Sequence, residues 1–357
     1  MTPGAAPIAL ACPDKFRGTL TAAEAATAMA AGLGRAGYAE VVIRPMADGG
    51  EGTIETVRTT TGGSLRTTRV TGPLGDPVEA EWLLLPDGTA LIEMARASGL
   101  ARVPDGARND PLRASTRGTG ELITAAARGG TRRVVVAVGG SASTDGGLAA
   151  VEALGGSLPG IEVTVACDVD TTFLDAARVY GPQKGASEAQ VSLLARRLEQ
   201  IADRYEREYG VNVRGLEGAG AAGGLAGGLA ALGATLEPGF ETVARLTGFD
   251  EAMEGAHLVV TGEGRLDLTS FAGKVVGSVC DWANEIGTPK RAVIAGQVTA
   301  EAREEAATYP ETLVLALTDR VWQGGEAFAQ AALLTEEAAL EVGRWALGSD
   351  ATPLTPG

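Results

Sequence analysis

The sequence predicts an α/β protein with a doubly wound domain formed by both chain ends and a large mixed α+β domain inserted between them. Near both ends, short β-branched runs alternate with glycine-rich turns and alanine-rich helical stretches, a pattern typical of βαβ units. Between residues 64 and 94, short alternating runs are instead separated by Gly-Pro and Asp-Gly turns. We therefore expect one domain at residues 1–64 and 253–357 and the other at residues 65–252.

The first domain opens with a strand at Pro7–Cys12 and a helix from Thr21 to Gly34, for which Thr21 is a suitable N-cap. A second strand is expected at Val41–Arg44, and a helix begins at Thr53. The last hundred residues return to the same alternation, with a helical segment after each strand. The strands expected there are His257–Val260, Ala292–Ala295 and Leu313–Leu317.

The inserted domain begins as an antiparallel meander and continues with alternating helices and strands. Period-two alternation predicts the meander, and the spacing of apolar residues predicts the helices. The meander strands are Leu65–Val70, Val78–Leu85 and Thr89–Glu93. The later elements are a helix at Gly120–Arg128, strands at Arg133–Val138 and Ile161–Ala166, and a long charged helix at Ser187–Tyr209. The uncharged stretch Gly218–Ala234 is expected to be a loop and helix packed inside the protein.

Charge and composition exclude several classes of function. With 30 basic and 45 acidic residues, the net charge of −15 disfavours nucleic acid as a partner. The first 13 residues carry no charged side chain, and no apolar run reaches the roughly 20 residues that span a bilayer, so we expect a cytoplasmic protein without a membrane partner. One histidine and three scattered cysteines disfavour zinc clusters, Ser-His triads and a disulfide framework.

Lysine is rare in this chain, because only four of its 30 basic residues are lysines. Lys15, Lys184 and Lys274 lie in glycine-containing, turn-like segments, whereas Lys290 lies beside Arg291 and resembles a solvated surface charge. A compact ammonium suits phosphate neutralisation, whereas the planar guanidinium suits bidentate pairing. The alternative is chance placement among 51 glycines.

Four predicted strands end in turns that are rich in glycine and polar groups. Ligands of open α/β sheets bind beyond the carboxyl ends of strands, where glycine loops and lysines suit phosphates and carboxylates suit Mg²⁺ or a base role. Together the turns indicate nucleotide-dependent phosphoryl transfer, although any one of them alone is typical of a tight turn with an Asp helix cap. The turns are Asp48–Gly52, Gly139–Gly147, the pair Asp168 and Asp170, and Thr261–Asp267, which Gly273 and Lys274 follow.

A dinucleotide-binding oxidoreductase is the main alternative from another class. Gly218–Gly223 matches G-x-G-x-x-G, but in a chain this rich in glycine about one match is expected by chance, and Arg214–Glu217 is not a convincing strand. A P-loop is absent, because Leu268 stands five residues before Gly273 and Val275 follows Lys274 where Ser or Thr is required. Protein-kinase signatures are absent as well.

These motifs resemble those of the type I glycerate kinase family. The resemblance implies a flavodoxin-like, or Rossmann-like, domain split by an insert. It also implies ATP-dependent phosphorylation of D-glycerate with Mg²⁺, and 2-phosphoglycerate is favoured over 3-phosphoglycerate. The segments that carry it, in chain order, are Cys12–Leu20, Met46–Gly52, Val138–Gly147, Ala166–Asp170, Tyr180–Ala186, Gly218–Gly224 and Val260–Arg265.

The resemblance and the turn chemistry together predict the site residues. Catalytic roles are predicted for Asp48, Asp168, Asp170, Lys184 and Lys274. Substrate contacts are predicted for Asp14, Lys15, Arg17 and Arg265. The ATP phosphates are expected at Gly139, Gly140, Ser141, Ser143, Thr144, Asp145 and Gly146, and Mg²⁺ at Glu263 and Asp267.

The sequence leaves several matters open, among them whether the 2- or the 3-hydroxyl is phosphorylated. It does not decide which carboxylate is the base and which binds metal, and it does not indicate the oligomeric state. Residues 171–178 depart from the sequence that the family usually carries after Asp170. A kinase of another small hydroxy acid, or a non-catalytic binding protein with the same fold, therefore remains an alternative.

Overall fold

The computed structural model describes residues 6–104, 108–158, 160–321 and 328–348. Within these residues the chain forms two compact units. The first contains the residues up to 47, residues 55–60 and those from 243 onward, and the second contains residues 48–54 and 61–242. This division places residues 48–54 and 61–64 with the second unit and residues 243–252 with the first, whereas the sequence places the boundaries at 64 and 252.

The described strands and helices alternate along most of the chain. The strands are β1 (Ile8–Ala11), β2 (Glu40–Ile43), β3 (Ser64–Thr71), β4 (Pro77–Leu84), β5 (Ala90–Glu93), β6 (Arg133–Ala137), β7 (Glu162–Ala166), β8 (Thr235–Glu237), β9 (Leu258–Leu266), β10 (Lys290–Val298) and β11 (Thr312–Ala316). The helices are α1 (Ala22–Ala36), α2 (Thr53–Thr61), α3 (Ala95–Ser98), α4 (Arg117–Arg128), α5 (Leu148–Ala153), α6 (Ala176–Tyr180), α7 (Glu188–Tyr209), α8 (Ala221–Ala231), α9 (Gly239–Thr247), α10 (Phe249–Glu254), α11 (Val275–Ile286), α12 (Ala300–Ala306) and α13 (Ala331–Ala346).

The first unit is built on a parallel sheet of five strands in the order β2-β1-β9-β10-β11. Numbered within the unit, this is the order 2-1-3-4-5 of a flavodoxin-like doubly wound sheet. Strands from both chain ends therefore share one sheet, as the sequence predicts. The helix α1 begins with a capping box between Thr21 and Glu24, and it lies so close to α13 that a Cβ on Gly32 would overlap Glu336 O.

The second unit is built on a mixed sheet of six strands in the order β3-β4-β5-β6-β7-β8. The pairs β3–β4 and β4–β5 are antiparallel, which confirms the predicted meander, and β5 to β8 pair in parallel. The long helix α7 has Ser187 as its N-cap and buries one face, including Leu194, Leu198 and Tyr205. The inserted unit is therefore the mixed α+β structure that the sequence predicts.

One expected turn is a strand in the structure. Residues 261–266, predicted as a turn after Val260, continue β9 and pair with β10 as far as Leu266 and Val298. The glycines that suggested a turn instead allow close approach, because a Cβ on Gly262 would overlap Ile294 O, and a Cβ on Gly264 would lie 2.9 Å from Arg17 N. The extension carries acidic and basic residues at the carboxyl end of the sheet.

The glycine-rich stretch at the start of α8 lies inside the second unit. Every residue of α8 is buried, and no strand precedes it after α7. A Cβ on Gly220 would overlap Thr172 O, so the helix packs tightly within the second unit. Across the described residues, no helix is long and apolar enough to cross a membrane.

Candidate active site

A cavity of about 390 Å³ opens at the carboxyl edge of the first unit's sheet. Its walls come from the loop after β1, the ends of β9 and β10, and the residues that follow β11. The strand order of this sheet reverses between β1 and β9, and open α/β sheets bind ligands at such a switch point. The topology therefore makes this cavity the candidate ligand site of the first unit.

The cavity gathers seven of the charged site residues that the sequence predicts, whereas Asp48, expected in the first domain, belongs to the second unit. Four are basic and three are acidic, so the lining is slightly basic in a chain whose net charge is −15. Charge of this sign favours a small anion. The residues are Asp14, Lys15, Arg17, Glu263, Arg265, Asp267 and Lys274.

Backbone contacts hold the loop after β1 against the β9 extension. The N–H of Asp14 donates to Gly262 O at 2.8 Å, and Asp14 Oδ1 accepts a hydrogen bond from the N–H of Lys15 at 2.6 Å. The absence of a side chain at Gly264 lets the backbone at Phe16 and Arg17 lie directly on the strand. These contacts fix the backbone from which Lys15 and Arg17 project.

A short chain of hydrogen bonds links two charged residues of the cavity lining, Asp267 and Lys274. Asp267 caps the turn after β9, where its Oδ1 accepts hydrogen bonds from Thr269 N at 2.9 Å and Thr269 Oγ1 at 2.6 Å. Hydrogen bonding from the Thr269 side chain lowers the pKa of Asp267 below its usual value. The ammonium of Lys274 in turn donates to Thr269 Oγ1 at 3.0 Å. Asp267 is therefore ionised, with one oxygen engaged, and Lys274 is held indirectly by it.

Sequence reasoning missed several residues of this lining, among them Thr19, Gln297, Thr318 and the exposed Phe328. A signal was available for Gln297, because it follows the end of the predicted strand Ala292–Ala295 by two residues. Thr318 likewise follows the predicted strand Leu313–Leu317. Neutral side chains at strand ends can also bind a hydroxyl, but they give a weaker sequence signal than charged ones.

The predicted acidic residues of the second unit include a perturbed carboxyl, that of Asp168. Its Oδ1 accepts a hydrogen bond at 2.6 Å from Gly239 N, at the start of α9, whereas Oδ2 is buried and has no hydrogen-bond partner among the described residues. Burial raises the pKa of Asp168 to about 7, and the charges of Asp48 and Glu241 add to the shift. Asp170, two residues further on, is exposed.

The predicted phosphate loop Gly139–Gly147 is packed inside the second unit over most of its length. Gly139 and Gly140 reach the surface, whereas residues 141–147 are buried. The buried part includes five of the predicted nucleotide-binding residues, Ser141, Ser143, Thr144, Asp145 and Gly146. A Cβ on Gly139 would lie 2.6 Å from the Gly50 Cα, so close packing within the unit already requires glycine there. The Asp145 carboxylate accepts hydrogen bonds from the backbone and hydroxyl of Thr116, and burial raises its pKa.

Lys184 is buried in the second unit, with 3 % of its surface exposed. Its ammonium donates to Ser143 O at 2.6 Å and lies 5.8 Å from the centre of the Tyr180 ring. Burial lowers the pKa of Lys184 to about 7, partly offset by the charge of Asp145. Asn109 holds the same region by donating to Ala142 O at 2.9 Å. This geometry favours a role for Lys184 in holding the loop over a direct phosphate contact.

The carboxylates of the first unit suit Mg²⁺ only as a partial ligand set. No group of three or more acidic, His or Cys residues able to hold a metal occurs within the described ranges. Magnesium is usually held by one or two carboxylates, and phosphate oxygens and water complete the octahedron. Glu263 and Asp267 supply hard oxygen donors of that kind at one cavity.

The chain matches a family model described as "Glycerate kinase family" over residues 9–160 and 156–347. It is 39% identical over 323 residues to glycerate 2-kinase of Escherichia coli K12, an alignment that covers 80% of this chain and 84% of that protein. It is 38% identical over 366 aligned residues to the glycerate kinase of Halalkalibacterium halodurans, covering 92% of this chain and 96% of that protein.

A solved structure resembles the chain over nearly its whole length. It is the crystal structure of a protein described as glycerate kinase 2 from Salmonella typhimurium LT2, with a TM-score of 0.82 and 32% sequence identity. The match covers 96% of this chain and 99% of that one. Both the sequence and the fold are therefore similar to those of proteins described as glycerate kinases over most of the chain.

Proposed function

The chain belongs to the glycerate kinase family and is a kinase, and on that premise we propose that it transfers the γ-phosphoryl group of ATP to a hydroxyl of D-glycerate. Mg²⁺ is the proposed metal ion, and 2-phosphoglycerate the proposed product. The observation that carries the proposal is the cavity of the first unit, where four basic side chains lie at the switch point of the sheet. That arrangement suits a small anionic substrate.

The substrate carboxylate is assigned to the basic residues on the loop after β1 and on the β9 extension. Arg17 and Arg265 are exposed in the cavity lining, and their guanidinium groups make no hydrogen bond within the described part of the chain. A guanidinium matches a carboxylate with two parallel hydrogen bonds. Lys15, on the same loop as Arg17, adds a third positive charge for the carboxylate.

Lys274 is proposed to stabilise the charge that develops on the transferred phosphoryl group. In phosphoryl transfer that charge spreads over the equatorial oxygens, and a positioned cation lowers the barrier. Lys184 would act differently, because its ammonium is buried against Ser143 O. Its proposed role is to hold the loop in which the half-buried Gly139 and the exposed Gly140 offer backbone N–H groups to ATP phosphates.

Glu263 is proposed to accept the proton of the attacking hydroxyl, because it lies on the β9 extension beside the basic residues assigned to the substrate. Asp267 is a weaker base, since hydrogen bonding from Thr269 lowers its pKa, and its second oxygen suits Mg²⁺. When bound, Mg²⁺ would neutralise phosphate charge. Asp168, with a pKa of about 7, is a second candidate for the base.

A single experiment tests the reaction and its regiochemistry. The purified protein is incubated with ATP, Mg²⁺ and D-glycerate, and the product is followed by proton-coupled phosphorus NMR. Phosphate on carbon 2 has one neighbouring C–H and gives a doublet, whereas phosphate on carbon 3 gives a triplet. We expect the doublet. A triplet would contradict the regiochemistry, and turnover with another small hydroxy acid but not with D-glycerate would contradict the substrate.

A further inference from the structure

Gln297 is a neutral residue in a cavity whose other polar walls are mostly charged. It lies near the end of β10 and contributes to the lining together with Arg265 of β9. Its side chain is exposed and makes no hydrogen bond within the described ranges. Because an amide both donates and accepts, it can bind a hydroxyl group, which a carboxylate or an ammonium alone does less selectively.

The register of the sheet places Gln297 beside Arg265. The two residues are paired in the parallel ladder between β9 and β10. Paired residues of neighbouring parallel strands project to the same face, and the strands lie about 4.8 Å apart. An amide and a guanidinium therefore stand side by side at the cavity wall. That spacing suits a ligand that carries a hydroxyl within a few bonds of a carboxylate.

The close approach of the strands fixes this pair. A Cβ on Gly296 would overlap Gly264 O, so glycine is required at that position for β9 and β10 to remain paired where they leave the core of the sheet. The ladder continues through the Arg265–Gln297 pair to Leu266 and Val298. Both functional side chains thus project from ordered strand rather than from a loop, which favours specific recognition.

We propose that Gln297 determines substrate specificity by hydrogen bonding the hydroxyl of D-glycerate that is not phosphorylated, while Arg265 binds the adjacent carboxylate. This inference rests on the proposed function, since it takes D-glycerate as the ligand. With phosphoryl transfer to the 2-hydroxyl, the group that Gln297 binds is the 3-hydroxyl. The ligand class is then a short 2,3-dihydroxy carboxylate, distinguished from a monohydroxy acid such as D-lactate.

Equilibrium binding of two ligands tests this assignment without turnover. D-lactate keeps the carboxylate and the 2-hydroxyl but lacks the 3-hydroxyl. Calorimetry with Mg²⁺ and a non-hydrolysable ATP analogue would measure Kd for both ligands in the wild-type protein and in Gln297→Met, which keeps the length of the side chain. We expect the wild-type protein to prefer D-glycerate about three- to tenfold, the usual contribution of one neutral hydrogen bond.

In Gln297→Met the preference should fall to within about twofold, through weaker D-glycerate binding and unchanged D-lactate binding. Arg265→Met is the matched control and should weaken both ligands by the same factor, because both carry a carboxylate. A preference that persists in Gln297→Met, an equal loss for both ligands, or no preference in the wild-type protein would each overturn the assignment. If the preference behaves as expected but no phosphoglycerate forms, the proposed phosphoryl transfer fails, while the contact between Gln297 and the 3-hydroxyl of D-glycerate stands.

Discussion

The ammonium of Lys274 donates a hydrogen bond to the hydroxyl of Thr269, and the two atoms are 3.0 Å apart. The same hydroxyl donates to Asp267 Oδ1, so the three side chains form one hydrogen-bonded chain, of which Asp267 and Lys274 line the cavity. A lysine has a long flexible stem, and ordering it costs conformational entropy. Thr269 therefore supplies part of the preorganisation that the proposed role of Lys274 requires.

We expect Thr269→Val to lower kcat/KM for phosphoryl transfer about three- to tenfold, because the ammonium of Lys274 loses one hydrogen bond while the shape of residue 269 is kept. Thr269→Ser should restore most of the activity. Lys274→Ala removes the charge itself and should cost about a hundredfold or more. Steady-state kinetics compares the three variants. If Thr269→Val matches the wild-type protein while Lys274→Ala is impaired, the lysine does not depend on this anchor.

The sequence was sufficient to predict the layers of the fold, because the core strands β1, β9 and β10 are short apolar runs, each followed by a helical pattern. It failed where glycine serves long-range packing. Gly262 and Gly264 suggest a turn, yet they lie in strand β9. Glycine is needed there because a side chain would meet β10 or the loop after β1. A close approach between segments that are distant in sequence leaves no local signal, so a turn was the natural prediction.

The sequence predicts the candidate site well in the first unit and less well in the second. Charged residues after β1 and along β9 converge because parallel strands share one carboxyl edge, which sequence order alone implies. Burial is not implied in that way. Lys184 and Ser143 belong to motifs that suggest a phosphate loop, yet both are buried. Their burial depends on how the surrounding elements pack, which the local sequence does not indicate.

A comparison of two lysines tests the role of Lys184. In Lys184→Met the volume is kept but the bond to Ser143 O is lost, so we expect a looser loop and a KM for ATP that rises about tenfold. The matched control is Lys290→Met. The ammonium of Lys290 lies 4.8 Å from the centre of the Trp345 ring, in the first unit. The substitution should leave the KM for ATP unchanged. Equal values in both variants would contradict a role for Lys184 in nucleotide binding.

Glycine at position 223 is expected to be required for packing. Gly223 and Gly155 both have positive φ values, +67° and +70°, but a Cβ on Gly223 would lie 2.7 Å from the Thr144 Cα, whereas nothing lies within 4 Å of one on Gly155. Gly155→Ala should lower the free energy of unfolding by about 1 kcal/mol, the cost of the left-handed backbone alone. Gly223→Ala should cost at least about 3 kcal/mol, because backbone must move as well. Urea denaturation measures both, and similar losses would show that the overlap is relieved cheaply.

The last prediction concerns the pH dependence of stability through Asp168. Its pKa is about 7 in the folded protein and near the usual 3.8 in the unfolded chain, so between these values the folded state binds the extra proton. The stabilising contribution of this proton is complete below pH 3.8 and is lost as the pH rises through 7. Asp168→Asn stays neutral and keeps an oxygen that can accept from Gly239 N.

Relative to Asp168→Asn, the wild-type protein should therefore lose about 2–4 kcal/mol of unfolding free energy between pH 4 and pH 8. Urea denaturation of both proteins at pH 4, 5, 6, 7 and 8, with EDTA to remove divalent cations, measures the difference. Asp170→Asn is the matched control, because Asp170 is exposed. Its curve of unfolding free energy against pH should run parallel to that of the wild-type protein. If the Asp168→Asn curve also runs parallel, the carboxyl ionises freely in the folded protein. If the wild-type protein instead gains stability relative to Asp168→Asn with rising pH, the hydrogen bonds from the start of α9 outweigh burial, and Asp168 is a permanently ionised helix cap rather than a candidate base.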